Sequence, residues 1–185
     1  MGQFMETIIA LLRGINVGGK NRLPMRDLVV NLQEMGLQNV QTYIQSGNVV
    51  FQTDRTNLPV LAQEMSTAIE ASHGFRPQVM LLRLAELETA VTHNPFPEAQ
   101  ADHKTLHFYF LESVPPAPDL ALLATLKTER EQFKLIETVF YLHAPDGIGR
   151  SKLAEKVEKA LGVATTARNW RTVSKMLEMA TAVTH

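Results

Sequence analysis

The sequence predicts an α+β fold made of two ferredoxin-like (split βαβ) α/β sandwich halves in tandem, with largely antiparallel sheets. Hydrophobic periodicity alternates between strand and helix in the same order twice, β-α-β-β-α-β-α. A break in regular structure at His93-Asn94-Pro95-Phe96-Pro97 separates the two passes. We therefore expect an N-terminal half over residues 1–97 and a C-terminal half, ending in the last helix, over residues 98–185.

Each element of the first half has a local signal. Apolar residues at helical spacing follow Pro24 and stop before Gly36, which is typical of a helix start and end. The turn residues Ser46-Gly47-Asn48 separate two strand-like runs and predict a hairpin. In order, the predicted elements are strand Thr7–Leu12, helix Pro24–Met35, strands Asn39–Gln45 and Val49–Gln52, helix Pro59–Ser72, strand Gln78–Leu82 and helix Ala85–Val91.

The second half repeats this order with different residues, so the duplication is one of pattern. A Pro-rich connection at residues 114–118 precedes its first helix. The predicted elements are strand Thr105–Leu111, helix Asp119–Lys127, strands Phe133–Glu137 and Val139–Leu142, a helix between Ser151 and Gly162, strand Val163–Thr166 and a last helix from about Trp170.

Composition excludes several classes of function. The 185 residues are 45% hydrophobic and 20% charged with a net charge of −1, so polyanion binding would need a local basic patch. With no cysteine, disulfides, thiolate catalysis and Cys-based zinc sites are excluded. The scattered histidines predict no metal site, and we expect no cofactor. Since no signal peptide or membrane-length apolar run is found, we expect a cytoplasmic protein.

The clearest functional signal is the Gly-rich loop of residues 13–22, RGINVGGKNR. It joins a predicted strand to a predicted helix, an arrangement that presents backbone N–H groups and cations to an anion. This predicts a site for a phosphate-bearing ligand. The alternative is that the glycines only supply left-handed turns and the cations are solvated.

The loop also matches the spacing of a nucleotide-binding P-loop, Gly, four residues, then Gly-Lys. The next residue should be Ser or Thr, but it is Asn21. Pro24 would fall in the first turns of the P-loop helix, where an N–H is needed. The predicted sheet is antiparallel, whereas P-loop enzymes use a parallel one. These three departures from the P-loop pattern disfavour a nucleoside triphosphatase.

The predicted topology brings three loops to one end of the first sheet. The first and second strands run parallel with the third between them, so the Gly-rich loop and the turn at 46–48 emerge together, as does the connection at 73–77. This rim would carry the polar side chains Arg13, Asn16, Lys20, Asn21, Arg22, Ser46, Asn48 and Arg76.

Residues 165–175 form a second basic cluster around the only tryptophan. Arg168, Arg171 and Lys175 would face an anion at a helix N-terminus. The alternative is structural: Asn169 caps the helix and Trp170 is part of the core.

Three segments resemble one bacterial family. They are residues 10–21 (ALLRGINVGGKN), 43–51 (YIQSGNVVF) and 166–173 (TARNWRTV), and they show no clear departure from its pattern. The family is domain of unknown function sixteen ninety-seven (DUF1697). The resemblance covers nearly the whole chain and implies a small cytoplasmic α+β protein, without an established activity, substrate or catalytic residue. It also implies that the three segments matter together.

We therefore predict a binding module for a phosphate-bearing ligand, either a nucleotide or a short single-stranded nucleic acid. Ferredoxin-like sheets often bind RNA through exposed aromatics, but Phe51 lies in an apolar context and is interpreted as core. The predicted ligand-binding residues are Arg13, Asn16, Gly18, Gly19, Lys20, Asn21, Ser46, Asn48, Arg168, Asn169 and Arg171.

Two alternatives remain open. One is an enzyme acting on a small phosphorylated or acidic substrate, with Asn16, Ser46 and Asn48 as positioning groups and no visible general base. The other is a structural or interaction protein without a ligand, joined to other copies through edge strands. No membrane partner is expected.

Overall fold

The structure is a computed structural model, and it describes residues 4–185. Within that range the chain forms two four-stranded antiparallel sheets and six α-helices, which confirms the α+β class and the two tandem α/β halves. The elements are β1 (Glu6–Arg13), α1 (Met25–Glu34), β2 (Gln38–Tyr43), β3 (Asn48–Thr53), α2 (Leu58–His73), β4 (Gln78–Arg83), α3 (Leu84–Thr92), a short 3-10 helix (Pro97–Ala101), β5 (Leu106–Leu111), α4 (Leu120–Leu126), β6 (Gln132–Ile136), β7 (Val139–His143), α5 (Lys152–Leu161), β8 (Thr165–Asn169) and α6 (Trp170–Thr184).

The two sheets have equivalent topologies. Their strand orders are β2-β3-β1-β4 and β6-β7-β5-β8, and all neighbouring strands are antiparallel. In the first sheet β3 therefore lies between the parallel strands β1 and β2. Because β1 and β2 run in the same direction, the loops that follow them leave the same end of the sheet.

The first sheet and its two helices, α1 and α2, share one hydrophobic core. In the first sheet, Ile8 and Leu12 of the central strand β1 pack in one core with Leu28 of α1 and with Leu61 and Met65 of α2. All five residues are almost completely buried, and each contributes roughly 1.5–3 kcal/mol by leaving water. Phe51 is fully buried in this core, so the interpretation of Phe51 as core is confirmed.

The second sheet has a core of the same kind on one face. Tyr109 of β5 packs with Phe140 and Leu142 of β7, and Val157 and Leu161 of α5 cover them. The rings of Tyr109 and Phe140 meet edge to face with centroids 5.7 Å apart. Such a pairing adds to the energy of apolar burial.

Local caps explain where several helices begin and end. Asn57 and Ser151 accept hydrogen bonds from the backbone N–H groups of Val60 and Ala154, which starts α2 and α5. Gly162 ends α5 in a left-handed conformation, as the sequence predicts.

Two strands, β2 and β8, have an end that lies two or more residues from the sequence prediction. β2 ends at Tyr43 rather than Gln45, because Ile44 has a left-handed backbone that cannot continue a strand. β8 covers Thr165–Asn169 rather than Val163–Thr166. Its ladder with β5 runs from the pair Thr165–Leu111 to the pair Asn169–His107, so Arg168 and Asn169 belong to the sheet.

The internal contacts divide the chain into two compact units. One extends to Glu88 and also includes Lys175–His185, and the other is Thr89–Ser174. In the first unit the hydroxyl groups of Thr7 and Thr184 lie 2.8 Å apart, so the end of α6 is held beside β1. A boundary between residues 97 and 98 stays a prediction. No helix of residues 4–185 has the length and apolar character needed to cross a membrane.

Candidate functional site

The Gly-rich loop is a short hairpin, which we call the glycine arm (residues 13–22). Gly18 and Gly19 both have positive φ, at 59° and 74°, as a type I′ turn requires. The N–H of Lys20 donates to the carbonyl of Val17 at 3.1 Å, and the N–H of Asn16 donates to the carbonyl of Asn21 at 3.0 Å. Two backbone donors that an anion cradle would use are therefore engaged within the arm.

Two asparagines brace the glycine arm. The side-chain amide of Asn16 donates to the carbonyls of Leu23 and Gln45 at 2.9 and 2.8 Å, and its oxygen accepts from the N–H of Leu23 at 2.8 Å. The amide of Asn21 donates to the carbonyl of Gly14 at 2.8 Å. These amides hold the arm in place, and both residues have a left-handed backbone, which asparagine tolerates.

The β2–β3 turn (residues 44–47) lies against the base of the glycine arm. The N–H of Leu12 donates to the carbonyl of Gly47 at 2.8 Å. A Cβ on Gly47 would lie 2.6 Å from the Cβ of Leu12, so only glycine allows this approach. Asn48 is fully buried, and its amide donates to the carbonyl of Tyr43 at 3.0 Å and to the hydroxyl of Ser46 at 2.9 Å. We call the arm and the turn together the rim.

Arg76, in the connection at residues 73–77, is directed along α2 and not toward the glycine arm or the β2–β3 turn. The guanidinium of Arg76 donates to Glu70 Oε2 at 3.1 Å and to Gln63 Oε1 at 3.0 Å, and both partners lie on α2. This ion pair is exposed and contributes at most about 1 kcal/mol, but it holds the arginine along the helix. We therefore leave Arg76 out of the rim.

The charged side chains of the rim are all cations. Arg13, Lys20 and Arg22 are all exposed. Residues 7–26 and 35–53, which contain both loops, carry no aspartate or glutamate. Within the described range 4–185, Lys20 and Arg22 form no ion pair with an acidic side chain. The rim is a local basic patch on a chain whose net charge is −1.

The second basic cluster begins on a strand. The Oδ1 atom of Asn169 accepts from the N–H of Thr172 at 3.0 Å, so Asn169 caps α6. The Trp170 ring lies 5.8 Å from that of Phe108, measured between centroids. Burial lowers the pKa of Arg168 to about 10, and its guanidinium donates to the carbonyl of Ala167 at 2.8 Å. Arg171 is the exposed cation of this group.

The geometry around the glycine arm differs from that of a P-loop. α1 begins at Met25, directly after Pro24, and no side chain caps it. The strand before the loop belongs to an antiparallel sheet. Nowhere among residues 4–185 are three His, Asp or Glu side chains grouped as a metal site would need.

Sequence spacing could not find one polar cluster between α1 and α2. The hydroxyl of Ser72 lies 2.7 Å from His73 Nδ1, and His73 Nε2 lies 3.3 Å from Asp27 Oδ2. These groups resemble a nucleophile, a base and an orienting acid. However, Ser72 lies in the last turn of α2. The backbone carbonyl groups at this end of a helix carry partial negative charge, which disfavours an oxyanion developing beside them. The cluster therefore connects two helices.

The chain matches a known protein family, and a solved structure shares its fold. The family model described as protein of unknown function (DUF1697) matches residues 5–141. The curated proteins give no match. Among solved structures, a conserved bacterial protein from Streptococcus pneumoniae is similar over 96% of this chain and 99% of its own, with 25% sequence identity and a TM-score of 0.74. The likeness therefore includes both halves.

Proposed function

We propose that this chain, which belongs to the DUF1697 family, is a binding module for a phosphate-bearing ligand, a nucleotide or a short single-stranded nucleic acid, and that the rim is its site. The observation that carries the proposal is that three exposed cations, Arg13, Lys20 and Arg22, lie on the braced glycine arm, while neither the arm nor the adjoining turn carries a carboxylate. Lys20 and Arg22 form no ion pair with an acidic side chain among residues 4–185, so a phosphate would not first have to displace a carboxylate from either of them.

In this proposal the rim residues have two kinds of role. Arg13, Lys20 and Arg22 contact phosphate oxygens, and the glycine pair at 18–19 lets the ligand approach the backbone of the arm. Asn16, Asn21 and Asn48 act indirectly, because their amides keep the two loops in place. Ser46 presents a hydroxyl at the turn. Arg168, Asn169 and Arg171 stay a separate proposed contact group.

The braced asparagines also bear on the enzyme alternative. An enzyme would need Asn16 and Asn48 to position a substrate, but their amides already donate to backbone carbonyls. The exposed Lys20 and Arg22 side chains can bind and orient an anion, but a protonated lysine or arginine does not supply a general base. This supports binding as the function of the rim.

The proposal is tested by titrating ATP, tripolyphosphate and a mixed-sequence RNA of ten nucleotides into the protein at low and moderate salt. We expect saturable, salt-sensitive binding of at least one ligand. Lys20→Ala combined with Arg22→Ala should weaken it about 10-fold, since each exposed ion pair contributes up to about 1 kcal/mol.

Lys156→Ala, which removes an exposed cation from α5, is the matched control and should bind like the wild type. If none of the three ligands binds, or if the double variant binds as tightly as the wild type, the rim is not a phosphate site.

A further inference from the structure

The rim exposes two apolar side chains beside its cations. Val17 of the glycine arm is 69% exposed and Ile44 of the turn is 52% exposed. Both are β-branched residues that usually lie inside a protein. A single exposed apolar side chain is common on a protein surface, but two of them on loops joined by a hydrogen bond, beside cations, make a surface that is both apolar and basic.

The two apolar side chains belong to one site. The hydrogen bond from the Asn16 amide to the carbonyl of Gln45 joins the arm to the turn. Val17 directly follows the donor residue and Ile44 directly precedes the acceptor residue. Each apolar side chain is therefore one residue from the atom pair that connects the loops.

The backbone keeps both side chains at the tips of their loops. Ile44 has a φ of 50°, which is rare for a β-branched residue. Val17 is the first residue of the turn closed by Lys20 N–H. A conformation that carries strain persists where the surrounding structure imposes it, and such strain is concentrated at binding sites.

Because the cations of the rim are exposed to solvent, they favour a ligand that carries several phosphates. An exposed cation binds a single phosphate weakly, because water and salt screen the pair. The backbone N–H groups of Asn16 and Lys20, which could strengthen such a site, are engaged in the arm. A mononucleotide would therefore gain little. A strand with several phosphates contacts several cations at once and releases several counterions.

Resting on the proposed function, we infer that the occupant of the rim is a single strand of nucleic acid several nucleotides long. Lys20, Arg22 and Arg13 contact successive phosphates, and Val17 and Ile44 pack against unpaired bases or riboses. An unpaired strand is favoured because a duplex hides its base faces by stacking. Phe51 is fully buried, so it cannot stack on a base as the exposed sheet aromatics of many ferredoxin-like RNA-binding domains do.

The first test varies the length of the ligand. Fluorescence anisotropy would compare labelled mixed-sequence RNAs of two, four and eight nucleotides with an eight-base-pair duplex, and competition would measure ATP, tripolyphosphate and phosphatidylserine vesicles. We expect affinity to rise with strand length and to exceed that for ATP at least 10-fold. Two or three phosphate contacts predict a slope of log affinity against log salt of about −1.4 to −2.1.

The second test removes the apolar tips and keeps the charges. Val17→Ser combined with Ile44→Ser should weaken binding of the eight-nucleotide strand about 10-fold without changing the salt slope or the affinity for tripolyphosphate. Val114→Ser is the matched control, because Val114 is 61% exposed in a different loop. Thermal unfolding of each variant confirms that it folds.

Two classes of result separate this inference from the proposed function. If ATP or tripolyphosphate binds the rim as tightly as the eight-nucleotide strand, or if duplex or vesicles bind equally well, the inference is wrong while the phosphate site stands. The inference is also wrong if the double serine variant binds the strand like the wild type. If no phosphate ligand binds at all, both are wrong.

Discussion

Ile44 combines an exposed side chain with a strained backbone. A left-handed conformation brings the Cβ of an L-residue too close to the following carbonyl oxygen, which costs about 1–2 kcal/mol, whereas asparagine tolerates this conformation. Ile44→Asn should therefore raise the free energy of unfolding by about 1 kcal/mol, measured by urea denaturation. Val114→Asn, an exposed loop change, should alter it by less than about 0.5 kcal/mol.

An Ile44→Asn protein no more stable than the wild type would show that the turn carries no such strain. If stability rises while nucleic-acid binding falls, the strain at Ile44 is retained for function, as is common at binding sites.

The asparagines show why residue type alone is ambiguous. Asn16, Asn21 and Asn48 are polar residues in a Gly-rich context, which is the composition of a ligand site and also of a tight turn. In the structure their amides bond to carbonyls of their own loops or, for Asn16, also to that of Gln45 in the neighbouring turn. Only the position of the acceptors reveals this role.

The contact between the glycine arm and the β2–β3 turn depends more on Gly47 than on Gly14. Gly14 and Gly47 both have a φ of 81°, so alanine should cost about 1–2 kcal/mol of backbone strain at either. A Cβ at Gly14 meets nothing within 4 Å, whereas one at Gly47 meets Leu12 Cβ at 2.6 Å and Ile15 Cδ1 at 2.9 Å.

Gly47→Ala should therefore lower the free energy of unfolding by about 1–3 kcal/mol more than Gly14→Ala, because overpacking adds to strain. Chemical denaturation of the two variants measures the difference. Equal losses would mean that the turn moves away from β1 without cost.

The edge strands bear on association with other copies. β2 is an edge of the first sheet, and its register shifts between Gln38 and Gln41, where Asn39 has a left-handed backbone. β6, an edge of the second sheet, carries the exposed Lys134. A bulge and an edge lysine both disfavour pairing with another strand. These features argue against association through β2 or β6; the other edges of the two sheets are β4 and β8.

At the scale of the whole molecule, acid should destabilise the fold through a buried histidine. His107 is 8% exposed, and burial lowers its pKa from 6.5 to about 4. Between pH 6.5 and about 4, the unfolded chain therefore binds a proton at His107 that the folded protein does not bind. The stability that the neutral His107 contributes is fully present above pH 6.5 and is lost as the pH falls toward 4. The shift corresponds to at most about 3 kcal/mol.

Urea denaturation at pH 7.5, 6, 5 and 4 measures this loss. His107→Gln should lose less stability between pH 7.5 and pH 4 than the wild type, and His93→Gln, at an exposed site, should follow the wild type. Parallel curves for the wild type and His107→Gln would show that other groups cause the acid sensitivity.

Local sequence patterns predict much of this protein. The order of strands and helices, the stop at Gly162 and the hairpin turn at 46–48 follow from residue periodicity and from glycine, proline and capping residues, which act over a few positions. Because topology follows from that order, the sequence also predicts that the first two loops emerge at one end of the sheet.

Tertiary structure decided what those patterns leave open. The Asn16 amide bonds to Gln45, 29 residues away, and Asp27 meets His73, 46 residues away. Arg76 turns to α2, and Lys175–His185 joins the unit that begins the chain. Whether a polar side chain binds its own backbone or faces solvent depends on such distant contacts, which no local pattern encodes.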